Sequence, residues 1–531
     1  MDKKSFGYLL GVVLLLLITI NFPGLTESSE ARYAEIGMEM FTSGDFLHPR
    51  LLGILHFHKP PLTYLITSFG YQLFGVNEFG ARFFLVFALA IQMWLIYRIS
   101  WELYRDKGLS RLSMVLYGSL PLVLVSILNL TTDAFLNTFI LAAIYCYLCE
   151  QRNKKKIFTY AAALLLGMGV LTKGPVAFLP FLIFVIFHRY FLKIPWKIGV
   201  HEILAVILCL LLSLSWFAVI IMERPALWDY FTNHQIKDRV MNAQVFHREE
   251  SFWYYIAFIP LLCFPYFYII IYRFFSKKKR NSGEDKALMW TIIILLFAFS
   301  CFSSKLILYL LPSAPFIAIL GAKTLYYKPD GLQKLTKKIL LILLYIIGIG
   351  GSIFLIIKQI YLPSVVLLFL LIFSLFWLYR KKSGLSLINI SMGFTAMILV
   401  LYASFGFYNP SAINSYKGIF QEMENNFPDS STLLIYDQLI PSAKIYTNKK
   451  VVTIHDNNYK TQREIQFESA DNPVNYLDIS NEGEIEDLIQ ELLKPASILM
   501  IRKKDLKDFP LNPQDYKPKK TEIGKWYFYS N

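Results

Sequence analysis

The chain is a succession of long apolar runs, and several reach or approach the roughly 20 residues needed to cross a bilayer. Inside hydrocarbon every backbone N–H and C=O must be bonded within its own segment, so runs of this kind read as helices. Of the 531 residues only 17% are charged, against about 25% in an ordinary soluble domain. The first run, Met1–Leu25, opens on Lys3 and Lys4 like a signal peptide. Asn21–Phe22–Pro23 offers no small-residue cleavage site, so the run reads as an uncleaved first helix. Further spans are expected over Phe79–Tyr104, Leu112–Leu130 and a fourth run ending at Glu150. A fifth and sixth meet at Thr172–Lys173–Gly174–Pro175, followed by Val200–Met222 and Phe252–Tyr272. A ninth and tenth meet at Ser303–Ser304–Lys305, an eleventh ends near Lys358, a twelfth at Arg380, and Leu385–Tyr408 closes the series. The fold class is an α-helical polytopic membrane protein of about 13 spans.

The net charge of +15 does not point to nucleic acid, because the lysines and arginines fall in short clusters between apolar runs. Those clusters, at 3–4, 105–111, 152–156, 189–197, 273–280, 323–338 and 380–382, occupy alternate loops. The positive-inside rule places them all in the cytoplasm. It places Glu27–Lys59, Asp133, Lys173, the 223–251 loop, Lys305 and the tail on the outer face. The division expected is a membrane domain over 1–409, with outer loops 26–78 and 223–251, and an extracytoplasmic α/β domain over 410–531. In the tail, Ile413–Phe427 and Glu482–Lys494 have helical spacing, while Thr432–Tyr436, Lys450–Ile454, Ser497–Ile501 and Lys525–Tyr529 read as strands. The five cysteines all lie in apolar runs, none beyond Cys301, so the tail folds without disulfides.

Ionisable groups held at a membrane face are costly and usually kept for a task. Glu27 and Glu30 either complement the dipole of a helix beginning near Ser29 or serve as a base over a membrane-level cavity. His56 and His58, at i, i+2, can bind a metal without specifying one, and His234 adds a third imidazole. Lys59, ahead of Pro60–Pro61, suits a cation that meets a phosphate, or snorkels at the interface. Asp133 caps a span or serves the site. Lys173, Lys305 and Tyr309 lie at outer junctions. Together these cations, acids and imidazoles match an anionic lipid head group.

Glu30–Ala31–Arg32–Tyr33–Ala34–Glu35–Ile36, Lys59–Pro60–Pro61, Phe74–Gly75–Val76–Asn77–Glu78–Phe79, Gly167–Met168–Gly169–Val170–Leu171–Thr172–Lys173–Gly174 and Phe252–Trp253–Tyr254–Tyr255 resemble the aminoarabinose transferase family. That family is related to the protein O-mannosyltransferases, and the likeness covers roughly residues 5 to 320. It implies a C-type membrane glycosyltransferase fold in a bacterial inner membrane, and the chain is expected to work as a monomer. It also implies a polyprenyl-phosphate sugar donor and periplasmic transfer to a lipid A-like or other envelope acceptor. By the same likeness Arg32, Lys59, Lys173 and Arg239 surround the donor phosphate, with Asp133 and Tyr309 in the same cavity; Lys305, from its place at an outer junction, is also expected at the phosphate. A family metal position, with zinc as the ion, maps onto His58 and His234, where a glutamate is usual at the position of His58. The family's Asp-Glu pair reads Ser29–Glu30, so Glu30 or Glu27 replaces the aspartate, or an anionic acceptor needs little base. The rivals are a flippase for lipid-linked sugar, which should carry repeats and midplane charges that are not found, a protein O-glycosyltransferase, and a non-catalytic lipid-binding scaffold.

Overall fold

A computed structural model describes residues 1–27, 29–237, 250–275, 282–327, 329–380, 386–456, 458–467, 476–479 and 484–531. Within these, the side chains of 234–237, 329–330, 375, 377–380 and 484 are left aside. The chain forms two compact units, one of Met1–Ile20 with Phe83–Ser404, the other of Asn21–Arg82 with Phe405–Asn531.

The first unit is helical. It contains α1 (Lys3–Thr19) and, after the short α2 (Ser29–Ser43) and α3 (Leu62–Phe74) of the other unit, most of α4 (Glu78–Tyr104). There follow α5 (Lys107–Gly118), α6 (Pro121–Leu128), α7 (Thr132–Asn153), α8 (Ile157–Lys173), α9 (Phe178–Leu192) and α10 (Val200–Glu223). Among the described residues seven helices are long and apolar enough to cross a membrane, and up to nine if each of two bent pairs is one span. The chain is a multi-pass membrane protein. Two expected spans are broken. Leu112–Leu130 bends by 57° between α5 and α6, where Pro121 starts a new helix, and Phe252–Tyr272 bends by 116° between Tyr254–Leu262 and Phe267–Phe275. Proline removes a backbone donor and clashes with the preceding turn, so a long apolar run containing it need not be one straight helix. Lipid-facing side chains remain bare, as on α10, where Val206, Leu211 and Leu214 are exposed.

Polar contacts hold the helices where apolar attraction alone is weak in lipid. Gln92 of α4 donates to the Ala134 carbonyl and the Thr138 hydroxyl at 2.8 Å each and accepts from Tyr117 of α5 at 2.5 Å. Asn137 of α7 closes the network by donating to the Tyr117 hydroxyl at 2.9 Å. At the basic ends, Asp285 takes Arg273 at 2.5 Å, Lys323 at 2.6 Å and the Tyr104 hydroxyl at 2.9 Å, so these charges are paired. Gly174, at φ +90°, makes the turn after α8 that a side chain would strain.

The second unit contains α2, an antiparallel pair β1 (Arg50–Leu51) and β2 (Ile54–Leu55), α3, and the tail. The tail forms a six-stranded sheet in the order β5-β4-β3-β6-β8-β7. Its strands are β3 (Thr432–Tyr436), β4 (Lys450–His455), β5 (Tyr476–Asp478), β6 (Ser497–Arg502), β7 (Lys519–Ile523) and β8 (Trp526–Ser530). The first four pair in parallel, and the last two close an antiparallel edge. Alternation along β3 sends Leu433 and Ile435 to one core and Leu434 and Tyr436 to the other. Leu52, from the β1–β2 turn, is buried in the first of these cores with Tyr416, Phe420 and Trp526. That burial gives a physical reason why Asn21–Arg82 groups with the tail and not, as the sequence suggested for loop 26–78, with the spans. Strands β5 and β7 and the helices Ser442–Thr447 and Tyr459–Ile465 were not anticipated. Each is short, and β7 is exposed over most of its length, so neither hydrophobic period stands out.

Candidate active site

The expected residues fall into two sets, one in each unit. In the second unit the start of α2 is fixed by Glu30, whose two oxygens take Arg82 Nε at 2.7 Å and Nη2 at 2.9 Å. Arg82 also donates to the Pro23 and Gly24 carbonyls at 2.6 and 3.0 Å, and the Thr26 amide donates to Glu30 at 2.8 Å. Both charges are buried. A carboxylate bound on both oxygens by a guanidinium is an anchor and is poorly placed to take a proton. Glu27 differs. Its Oε2 accepts from the Ser442 hydroxyl, while its buried Oε1 finds no hydrogen-bond partner among the described residues. Burial pushes its carboxyl up to about 7 against the downward pull of Ser442 and Arg32. Arg32 is half-buried, and its Nε has no hydrogen-bond partner among the described residues.

Lys59 is half-buried in the turn before Pro60–Pro61 and α3. Beside it His58 meets residues that no motif marks. His58 Nε2 lies 3.0 Å and His56 Nδ1 2.7 Å from Glu464 Oε2, in the tail helix Tyr459–Ile465. All three side chains are buried, and one ligand atom from each lies within 4.8 Å of the other two. Burial pushes both imidazoles below their ordinary value, outweighing the pull of Glu464. The carboxyl of Glu464, which burial alone would raise, is held well below the usual range by His58 and His56. Two imidazoles and one carboxylate, meeting in a buried cluster, form a donor set that fits zinc. Farther along α2, Lys444 of the tail reaches Glu39 at 2.5 Å and Glu35 at 3.9 Å.

In the first unit the antiparallel helices α7 and α8 bring Asp133, in the first turn of one, to Lys173, in the last turn of the other. Lys173 Nζ is 2.5 Å from Asp133 Oδ1, with both side chains nearly buried. The ammonium also stands 4.4 Å from the centre of the Tyr309 ring, a cation–π contact. Tyr309 lies in the short helical segment Ile307–Ser313, which the Tyr255 hydroxyl steadies by donating to the Leu306 carbonyl at 3.1 Å. Lys305 is buried and donates to the Glu250 carbonyl at 2.7 Å, which ties the end of the 223–251 loop to the junction. That contact gives Lys305 a structural task beside the phosphate contact expected of it. Arg239 lies outside the described residues, as does the side chain of His234.

Arg82, Ser442, Arg463 and Glu464 were not found from the sequence. Arg82 carried a signal, since an arginine four residues into an apolar run needs a buried acid as partner. Glu464 carried none, because it stands in a polar stretch of the tail, 408 residues from His56.

Residues 58–216 match the model of the dolichyl-phosphate-mannose-protein mannosyltransferase family. The undecaprenyl phosphate-alpha-4-amino-4-deoxy-L-arabinose arabinosyl transferase of Enterobacter sp. (strain 638) is 30% identical over 333 residues, covering 60% of this chain and 59% of the relative. The chain resembles the aminoarabinose transferases. A second such transferase, from Sodalis glossinidius, is 30% identical over 353 residues, covering 64% of this chain and 62% of its own length. The chain thus spans about three-fifths of these relatives. ArnT from Cupriavidus metallidurans, in a crystal structure bound to undecaprenyl phosphate, has the same fold. The TM-score is 0.78 at 16% identity, with 99% of this chain and 98% of the other covered. The likeness to the aminoarabinose transferases read from the motifs therefore holds, and the fold is the one ArnT has.

Proposed function

We propose that this protein is a polyprenyl-phosphate-dependent glycosyltransferase of an inner membrane that passes a sugar to a lipid A-like acceptor on the periplasmic face. The observation that carries the reading is the Asp133–Lys173–Tyr309 cluster, with Asp133 buried and its two partners half-buried. Asp133 and Lys173 both fall inside the stretch that matches the mannosyltransferase model. In this reading the chain crosses the membrane about 13 times, acts as a monomer and carries its tail outside the cytoplasm.

The reaction is a displacement at the anomeric carbon. The acceptor oxygen forms the new bond to carbon, the bond from carbon to the phosphate oxygen breaks, and polyprenyl phosphate leaves with the electron pair. Negative charge grows on that phosphate, so fixed cations stabilise the transition state more than the ground state. Lys173, pre-set by Asp133, is one such cation, and the family motifs alone assign the same task to Arg32 and Lys59. Arg239 is assigned to the phosphate by its motif alone. Glu27, with one oxygen unpartnered among the described residues, takes the acceptor's proton when the acceptor is a hydroxyl.

Lys173→Ala is expected to lower turnover on the order of 10²-fold or more, and Lys59→Ala likewise. The assay uses the purified protein with a radiolabelled undecaprenyl-phosphate sugar and lipid A. Turnover close to wild type in both variants would end this assignment. The match to mannosyltransferases of proteins favours a second reading, in which the acceptor is a protein hydroxyl. Label appearing in envelope protein and not in lipid A would select it.

A further inference from the structure

We propose that His56, His58 and Glu464 form a metal site of the zinc class, with ligands drawn from the front loop and the tail helix. His56 and His58 flank Phe57 just after β2, at the turn that leads to Lys59. Glu464 stands near the end of the helix Tyr459–Ile465, with 2% of its side chain exposed. Its Oε2 lies 2.7 Å from His56 Nδ1 and 3.0 Å from His58 Nε2. Three donor atoms from distant segments thus meet around one point. Widening their separations to about 3.3 Å would give the tetrahedral edges that zinc bonds of about 2.0–2.1 Å require.

Arg463 belongs to the same site and bears on its occupancy. Its Nη2 is 3.6 Å from Glu464 Oε1, the oxygen turned away from the imidazoles, and its Nε is 3.4 Å from His58 Nε2. The first contact orients the carboxylate and leaves Oε2 for an ion, as outer-shell partners of metal ligands commonly do. The second is long and yields when a metal takes Nε2. Two imidazoles and one carboxylate select zinc or a similar transition ion over calcium or magnesium, which take mainly oxygen. A fourth position is left to water or substrate. The ligand set differs from the pairing of His58 with His234, because here the carboxylate comes from the tail. Such an ion would cross-link the segment after β2 to the tail helix and stabilise that unit whether or not sugar transfer occurs.

The test uses the full-length protein in nanodiscs, loaded with zinc or cobalt and dialysed, with no donor or acceptor present. About one zinc per chain is expected, with a cobalt spectrum of nitrogen and oxygen ligation and a melting temperature that falls on chelation. Glu464→Gln and His56→Ala should each weaken zinc retention at least tenfold, while His234→Ala retains it. The proposal is overturned if the wild-type protein keeps no zinc and its melting temperature ignores zinc and chelator alike, which would mean an ion pair only. It is also overturned if His234→Ala loses zinc as fully as Glu464→Gln. Because wild-type titration alone can decide the matter, misfolding of a variant does not rescue it. No readout involves transfer, so its failure leaves the transferase reading where it stood.

Discussion

Glu27→Gln is expected to cut transfer to a hydroxyl acceptor by about 10²- to 10⁴-fold, the usual worth of a positioned general base. The pH profile makes the expectation specific. Burial raises the Glu27 carboxyl from an ordinary 4.5 to about 7, so the base form appears only as pH rises through that region. The rate with wild-type protein should therefore climb along an acidic limb centred near pH 7, and the limb should vanish in Glu27→Gln. Stability runs the other way. Between pH 4.5 and about 7 the folded protein holds a proton that the unfolded chain has released, so stability falls as pH rises across that window. Glutamine, which holds no such proton, should flatten that slope in thermal melts. A variant within threefold of wild type at every pH would remove Glu27 as base. An acceptor that is already anionic, such as a lipid phosphate, would then account for the reaction.

Arg82→Ala is expected to destabilise the protein by about 3–5 kcal/mol, because it leaves the Glu30 carboxylate buried and unpaired. It also strips the Pro23 and Gly24 carbonyls of their donor. Replacing both members with apolar side chains, as in Glu30→Met with Arg82→Leu, should cost clearly less, since no orphaned charge remains. Thermal melts of the three proteins in detergent would measure this. Equal losses in the single and double variants would mean that the pair contributes little beyond packing. Activity should fall in Arg82→Ala only in proportion to folded protein, a pattern that separates an anchor from a group acting on substrate.

The paired charges also explain how far the site could be read from residues alone. Lys173 and Asp133 were identifiable because each interrupts or borders an apolar run, where an unexplained charge is expensive. Their mutual contact follows from α7 and α8 being consecutive and antiparallel. Glu30 and Glu27 were equally visible, yet their roles could not be told apart. The difference lies in partners 52 residues away for one, at Arg82, and 415 residues away for the other, at Ser442. Likewise His58 was marked by its motif, while Glu464 stood in a polar stretch with nothing to distinguish it.

The order of apolar runs and basic clusters, by itself, determined that this protein is a multi-pass helical membrane protein, because a run long enough to span hydrocarbon has few other ways to satisfy its backbone. The motif string determined its likeness to the aminoarabinose transferases. Only the tertiary structure decided which acid is an anchor and which keeps an oxygen unpartnered among the described residues. Only it decided that the tail supplies a carboxylate to the front-loop histidines. Burial and partner geometry set those roles, and both depend on contacts between residues hundreds of positions apart, which local pattern does not encode.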